Sequence, residues 1–186
     1  MELLRKIYVF FLDTVQTLLI VFAIFLVIYL FLFRPFQVSG NSMHPNFLDR
    51  EYVLTNLITL KFGNPKLGDV IVFKAPLNPE IDYIKRVIGV PGDNVLIKNG
   101  DVYLNGQILN QNLFLDPSVK TYGGSFLKEN IPVTVPPESY FVLGDNRSGS
   151  SDSREWGFVP IRMIIGKSFF VYWPVEEMKV VSNPYN

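Results

Sequence analysis

Residues 82–93 read DYIKRVIGVPGD. From Tyr83 to Val90 the run is rich in β-branched and aromatic side chains and ends at the Gly92-Asp93 pair, which fits a strand followed by a turn. Alternation along a strand puts Lys85 on one face with Tyr83 and Val87, and Arg86 on the other with Ile84 and Ile88. Two adjacent cations, each between apolar neighbours, are costly unless they are paired or used. Pattern alone leaves a blander alternative open: an edge strand whose Lys and Arg stems carry their charges out to water.

Similar runs lie on both sides of this stretch. Asp69–Phe73, Val95–Lys98, Val102–Leu104, Tyr140–Leu143 and Lys167–Trp173 have the same composition. Asn99-Gly100 and Asn105-Gly106 sit between such runs, where type I′ hairpin turns belong. Gly-Asp pairs at 68–69, 92–93 and 144–145 mark further turns. No amphipathic helical pattern of useful length competes. The expected fold is mainly β, antiparallel and barrel-like, because many short strands need their edges closed or covered. Residues from about 98 to 137 are richer in Asn, Gly and Pro and read as a small inserted β subdomain.

The N-terminal part is different. From Leu18 to Phe33 every residue is apolar or aromatic, and extending back to Val15 gives nineteen residues, roughly 28 Å as a helix and close to the hydrocarbon thickness. A buried core helix would show a polar stripe, and none is present. Val38-Ser39-Gly40 could pass for the small residues before a cleavage point, but the apolar stretch exceeds the usual length of a cleavable signal, about 7–15 residues. The expected organisation is a cytoplasmic N-terminus at 1–6, a transmembrane signal anchor at 7–33 and an extracytoplasmic domain at 34–186. Arg5 and Lys6 before the span favour that orientation.

Composition narrows the chemistry. Lys plus Arg and Asp plus Glu both number 17, so no basic excess points to nucleic acid. The absence of cysteine removes disulfides, thiolate zinc sites and a Cys nucleophile. The single histidine, His44, lies two residues after Ser42 on a non-helical segment, where the two side chains diverge; it reads as an exposed loop residue. No metal or cofactor is expected. A serine hydrolase without histidine can use lysine as its base. Lysine titrates near 10.4 and is only about one part in a thousand neutral at pH 7, so a lysine base must be desolvated. Lys85 is the lysine in apolar surroundings. The nucleophile is harder to choose: the loop SGNSMHP at 39–45 offers glycine freedom and a backbone N–H, but such loops are common.

At these residues the chain resembles the type I signal peptidases, and the resemblance covers nearly all of it. The apolar anchor is followed by SGNSMHP at 39–45, GDVIVFKAP at 68–76, DYIKRVIGVPGD at 82–93 and GDNRSGSSDSREWGFVP at 144–160. This implies a membrane-bound serine endopeptidase that removes signal peptides from exported preproteins, cutting after small residues. Ser42 would be the nucleophile, Lys85 the general base, and Ser150 a serine that hydrogen-bonds and orients the lysine. Asp145 and Asp152 would pair with Arg86 and Arg154. Shallow pockets would be lined by Phe36, Val38, Gly40, Met43, Phe47, Val72, Asp82, Tyr83 and Ile84. The implied partners are preproteins and the lipid bilayer, with the secretion translocon nearby and no nucleic acid.

Two departures stand out. Gly40 replaces a serine whose hydroxyl assists the oxyanion hole in some members, and Pro45-Asn46-Phe47 stands where Pro-Thr-Leu is usual. Two rival readings remain: an inactive membrane-anchored β domain that binds peptides or partner proteins, and a self-cleaving regulator with the same dyad. The anchor disfavours the second.

Overall fold

The computed structural model describes residues 1–58 and 63–185 and divides into two compact units, Met1–Arg34 and Pro35–Asn186. The first is one helix, α1 (Glu2–Leu32). Its residues are exposed from Met1 to Val27, so the apolar side chains find no protein surface to bury against. The 26 residues Glu2–Val27 are long and apolar enough to cross a membrane. The helix stops as Phe33 turns extended (φ −131°, ψ 141°), just before Arg34, where Pro35 disfavours the helical conformation of its predecessor.

The second unit is mainly antiparallel β, as expected. Its larger sheet has eight strands: β1 (Phe33–Gln37), β2 (Tyr52–Asn56), β3 (Val70–Ala75), β4 (Asn78–Gly89), β9 (Ser139–Leu143), β10 (Val159–Pro160), β11 (Ile164–Trp173) and β12 (Lys179–Val180). They run in the order β1-β2-β11-β3-β4-β9-β10, with β12 attached to β11. This is an open path: among the described residues no pairing joins β10 back to β1. The smaller sheet holds β5 (Asn94–Lys98), β6 (Asp101–Leu104), β7 (Gln107–Ile108) and β8 (Val133–Thr134) in the order β7-β6-β5-β8. Its two hairpins turn on Asn99-Gly100 (φ 54° and 80°) and Asn105-Gly106 (φ 53° and 82°), the paired left-handed conformations that type I′ turns demand.

The structure refines two readings: the inserted β segment is present as a separate four-stranded sheet, and one alternative drops out. The smaller sheet begins at Asn94, a strand earlier than residue 98, and it has no separate interior. Val95, Ile97 and Val102 bury against Ile88, Phe141 and Leu143 of the larger sheet, so it is a second layer over β4 and β9. The edge-strand alternative for Lys85 and Arg86 also fails. β4 lies between β3 and β9, with Ile71 opposite Lys85 and Leu143 opposite Arg86. Neither cation reaches water: relative exposures are 3% and 4%. A central position was hidden because β4's partners are set by distant segments, β9 arriving some fifty residues later.

β4 also starts earlier than Tyr83. Its first residues, Asn78–Ile81, are exposed and belong to a hairpin with β3 in which Ala75 pairs with Asn78. A Lys74–Asp82 ion pair at 2.8 Å closes the same hairpin one step further in.

Candidate active site

Four segments converge. The loop between β1 and β2 carries Ser42, β4 carries Lys85, and the 144–154 segment after β9 supplies acceptors and a short helical turn. The end of β1 with the first half of β4 walls an open cleft of about 410 Å³. The loop is drawn into a lasso whose neck is closed by two bonds, from the Val38 N–H to the Glu51 carbonyl and from the Arg50 N–H to the Val38 carbonyl, both 2.8 Å. Gly40 sits at φ +83°, a conformation that disfavours other residues, and donates its N–H to Asp49 Oδ1 at 2.7 Å. Met43 and Phe47 fasten the loop from below by burying with Val53, Val70 and Val171.

Lys85 Nζ donates to Ser42 Oγ at 2.7 Å and to the Ile84 carbonyl at 2.9 Å. It lies 5.2 Å from the centroid of the Tyr83 ring. Among the described residues no carboxylate touches it. Burial drives its pKa down from 10.5 to about 8, against an opposing pull from the negative charges of Asp152 and Asp145. A group titrating there is neutral in roughly one molecule in ten at pH 7.

Arg86, on the opposite face of β4, has the reverse arrangement. Its Nε and Nη2 grip Asp145 at 2.9 and 2.7 Å, and Nη1 donates to the Gly68 carbonyl at 3.0 Å. The Phe114 ring covers the guanidinium at 4.4 Å. Arg154 holds Asp152 in the same forked way, at 2.8 Å for both bonds. A bidentate fork is the geometry that best offsets the desolvation of such a pair.

A profile of the family described as "Signal peptidase, peptidase S26" matches residues 11–173. The chain belongs to that family. It is 36% identical to a protein named signal peptidase IB from Staphylococcus aureus strain MRSA252, over 94% of this chain and 96% of that one. A protein named probable signal peptidase I-2 from Synechocystis sp. is 34% identical over 78% of this chain and 66% of its own length. Among solved structures, a signal peptidase I from Enterococcus faecalis V583 matches at 31% identity with a TM-score of 0.47, covering 56% of this chain and 97% of that one.

Within this signal peptidase fold, seven of the nine pocket residues expected above line the cleft: Phe36, Val38, Gly40, Val72, Asp82, Tyr83 and Ile84. Met43 and Phe47 do not. They are 0% and 2% exposed and form the floor under the Ser42 loop, because the loop turns its apolar side chains toward the sheet and its polar edge toward the cleft. Ser150 also differs from expectation. Among the described residues its Oγ is buried with no hydrogen-bond partner and no bond joins it to Lys85, whose second bond goes to the Ile84 carbonyl. Ser150 instead packs over Gly144, where an added Cβ would collide with its side chain and with the Ser42 carbonyl.

Sequence reasoning missed several contributors. Asn46 donates to Asp145 Oδ2 at 2.8 Å and to the Phe114 carbonyl at 2.7 Å, tying the Ser42 loop to the ion pair behind β4. Its departure from the usual Pro-Thr-Leu was the available signal, although a pocket wall is not where it sits. Arg147 is 3% exposed; it donates to the Gly144 carbonyl at 3.0 Å and to Thr121 Oγ1. Burial pushes its pKa down to about 10, which still leaves it charged at neutral pH. His44 is exposed.

Proposed function

We propose that this chain is a membrane-anchored signal peptidase that cleaves preproteins with Ser42 as nucleophile and Lys85 as general base. The observation that carries the reading is the 2.7 Å bond between Lys85 Nζ and Ser42 Oγ, formed by a lysine held in apolar surroundings without a touching carboxylate. The inactive-domain alternative is not favoured, because that arrangement opens onto the cleft.

Neutral Lys85 takes the Ser42 proton as Oγ bonds to the carbonyl carbon following a small residue, and the Ser42 N–H stabilises the resulting oxyanion. Collapse of the tetrahedral species breaks the C–N bond, and the Lys85 ammonium returns the proton to the departing amine. A water, deprotonated by Lys85, then attacks the ester; Ser42 leaves as its alcohol with the proton from the lysine. Apolar walls at Phe36, Val38, Val72 and Ile84 accept small side chains and reject larger ones by steric overlap.

The remaining features follow from the anchor. The reading places residues 1–6 in the cytoplasm, a single span at 7–33 and the domain at 34–186 outside. Ser42 is nine residues beyond Phe33, a tether that keeps the nucleophile near the bilayer surface where a signal peptide's apolar segment ends, raising effective concentration. Proximity to the secretion translocon belongs to the same proposal.

The test is cleavage of a purified preprotein in detergent micelles by wild type, Ser42→Ala and Lys85→Met. Loss of nearly all activity in both variants, with cutting after a small residue by the wild type, supports the assignment. Equal cutting by all three would move the chemistry elsewhere. A folded wild type that cuts nothing would restore the binding-domain alternative.

A further inference from the structure

We propose that Asn146 is a positioning residue that aims the backbone N–H of Ser42 at the developing oxyanion. The proposal rests on the reading of Ser42 as nucleophile. Asn146 holds the nucleophile turn at two successive peptides: its Nδ2 donates to the Asn41 carbonyl at 3.0 Å, and its own N–H donates to the Ser42 carbonyl at 3.1 Å. The first bond matters most. The Asn41 carbonyl and the Ser42 N–H belong to one peptide unit, which is trans, so they point in opposite directions. Fixing the oxygen fixes the heading of the hydrogen. The same oxygen also accepts the His44 N–H at 3.2 Å, a longer bond from within the turn that cannot by itself anchor the turn to the sheet.

Two further observations show why this chain depends on that heading. Among the described residues the Ser42 N–H donates to no protein acceptor, so it stands ready for an incoming one. The Gly40 N–H is engaged, being bound to Asp49 Oδ1, and Gly40 has no side chain to offer a hydroxyl. Without a hydroxyl at position 40 the site leans more on the Ser42 N–H, whose contribution is sensitive to its angle, because a hydrogen bond weakens steeply as it bends.

Asn146 is itself braced. Its Oδ1 accepts the Gly149 N–H at 3.1 Å and the Ser148 hydroxyl at 3.3 Å, which orients the carboxamide so that Nδ2 faces Asn41. Asn146→Asp keeps those acceptors and the backbone bond to Ser42 while deleting the single donor. Asn146→Ala deletes the donor without adding charge.

The experiment measures kcat and KM for preprotein cleavage by wild type, both variants and Ser42→Ala. Rates are compared on the alkaline plateau, where any effect of the new carboxylate on Lys85 protonation has dropped out. Two inhibitors are titrated in parallel: a peptide aldehyde ending in alaninal, whose adduct carries the oxyanion, and a matched uncleavable peptide with proline after the scissile position. In both Asn146 variants kcat and aldehyde affinity fall together by about 10- to 100-fold, while KM and affinity for the uncleavable peptide stay within about threefold. Unchanged kcat and aldehyde affinity in a variant that melts like wild type overturn the proposal, as does a fall in peptide affinity that matches the fall in aldehyde affinity. Should Asn146→Ala fail to fold, Asn146→Asp carries the comparison. If Ser42→Ala cleaves as wild type does, the nucleophile assignment fails first; if it is dead and the Asn146 variants are normal, only the positioning role fails.

Discussion

Lys85 and Arg86 are consecutive residues on the same strand, almost equally buried, and the two faces of β4 treat them in opposite ways. On the Arg86 face a carboxylate, a carbonyl and an aromatic ring surround the charge. On the Lys85 face the charge meets a hydroxyl, one carbonyl and a tyrosine ring, and its nearest negative charges act only at a distance. A fully paired cation is structure, because removing its proton or its partner is prohibitively costly. A desolvated cation without a partner gives up its proton readily, and that is what a base requires. The two residue types suit these roles, since guanidinium binds carboxylate in a fork and stays charged, while an ammonium shifts its pKa when buried.

The strongest way to break this comparison is to give both faces the same group. Lys85→Arg keeps a cation at the site but removes any accessible neutral form, so cleavage should fall by about 10⁴-fold. Activity within tenfold of wild type in a preprotein assay would mean that a charged side chain suffices, and the neutral-base argument would collapse. Next in size is Asp145→Ala, which strands Arg86 and deprives Asn46 of an acceptor. It should cost about 3–5 kcal/mol, a melting point lower by roughly 10 °C. A loss below about 1 kcal/mol would show that the Arg86 face is not held by the pair.

Activity of the wild type against pH sharpens the same contrast. With Lys85 near 8, kcat/KM should climb about tenfold per unit on the acid side and level off above that value. A flat profile between pH 6 and 9 would exclude Lys85 as the titrating group. Lys85→Met should then separate activity from stability. Below about pH 8 the lysine is charged in folded and unfolded chains alike, and folding bears the cost of burying that charge. Between about 8 and 10.5 the folded chain has lost the proton that the unfolded chain retains, so stability rises with pH; above 10.5 the penalty is gone. The Met variant should therefore be more stable than wild type at pH 7 by about 1–3 kcal/mol, with the gain shrinking between about pH 8 and 10.5 in denaturant titrations. A variant less stable at pH 7 would contradict the desolvation account. The smallest effect expected is that of Phe114→Leu, which removes the ring over Arg86 and should cost about 1 kcal/mol while leaving the acid limb of the pH profile where it was. A moved limb would mean that the two faces of β4 are electrostatically coupled after all.

What the sequence disclosed follows the range of the interactions involved. The anchor was legible because an unbroken apolar run needs no partner to be recognised. The turns at Asn99-Gly100 and Asn105-Gly106 were legible because local backbone geometry dictates the residue. The strand through Lys85 was visible, yet its central position was not, since that depends on β3 and β9 closing over it. Met43 and Phe47 were assigned to the cleft because apolar residues beside Ser42 look alike whether they face a cleft or the core; burial against Val53, Val70 and Val171 distinguishes the two. Asn146 gave no signal at all. Its contact with Asn41 spans 105 positions, and an Asn in a Ser- and Gly-rich loop is ordinary in composition.

The strand order has a further consequence, in time. Among the described residues β2, with its neighbour β1, joins the other strands of the large sheet through β11, which inserts between β2 and β3. On a growing chain the serine-bearing lasso and the lysine-bearing hairpin emerge early, but no strand pairing joins them until Ile164–Trp173 has been made. A nascent chain shorter than that can join the two residues only through loop and side-chain contacts, not through the sheet. A protease assembled in this order should stay idle until β11 has been made, and a fragment ending before Ile164 should cleave no preprotein.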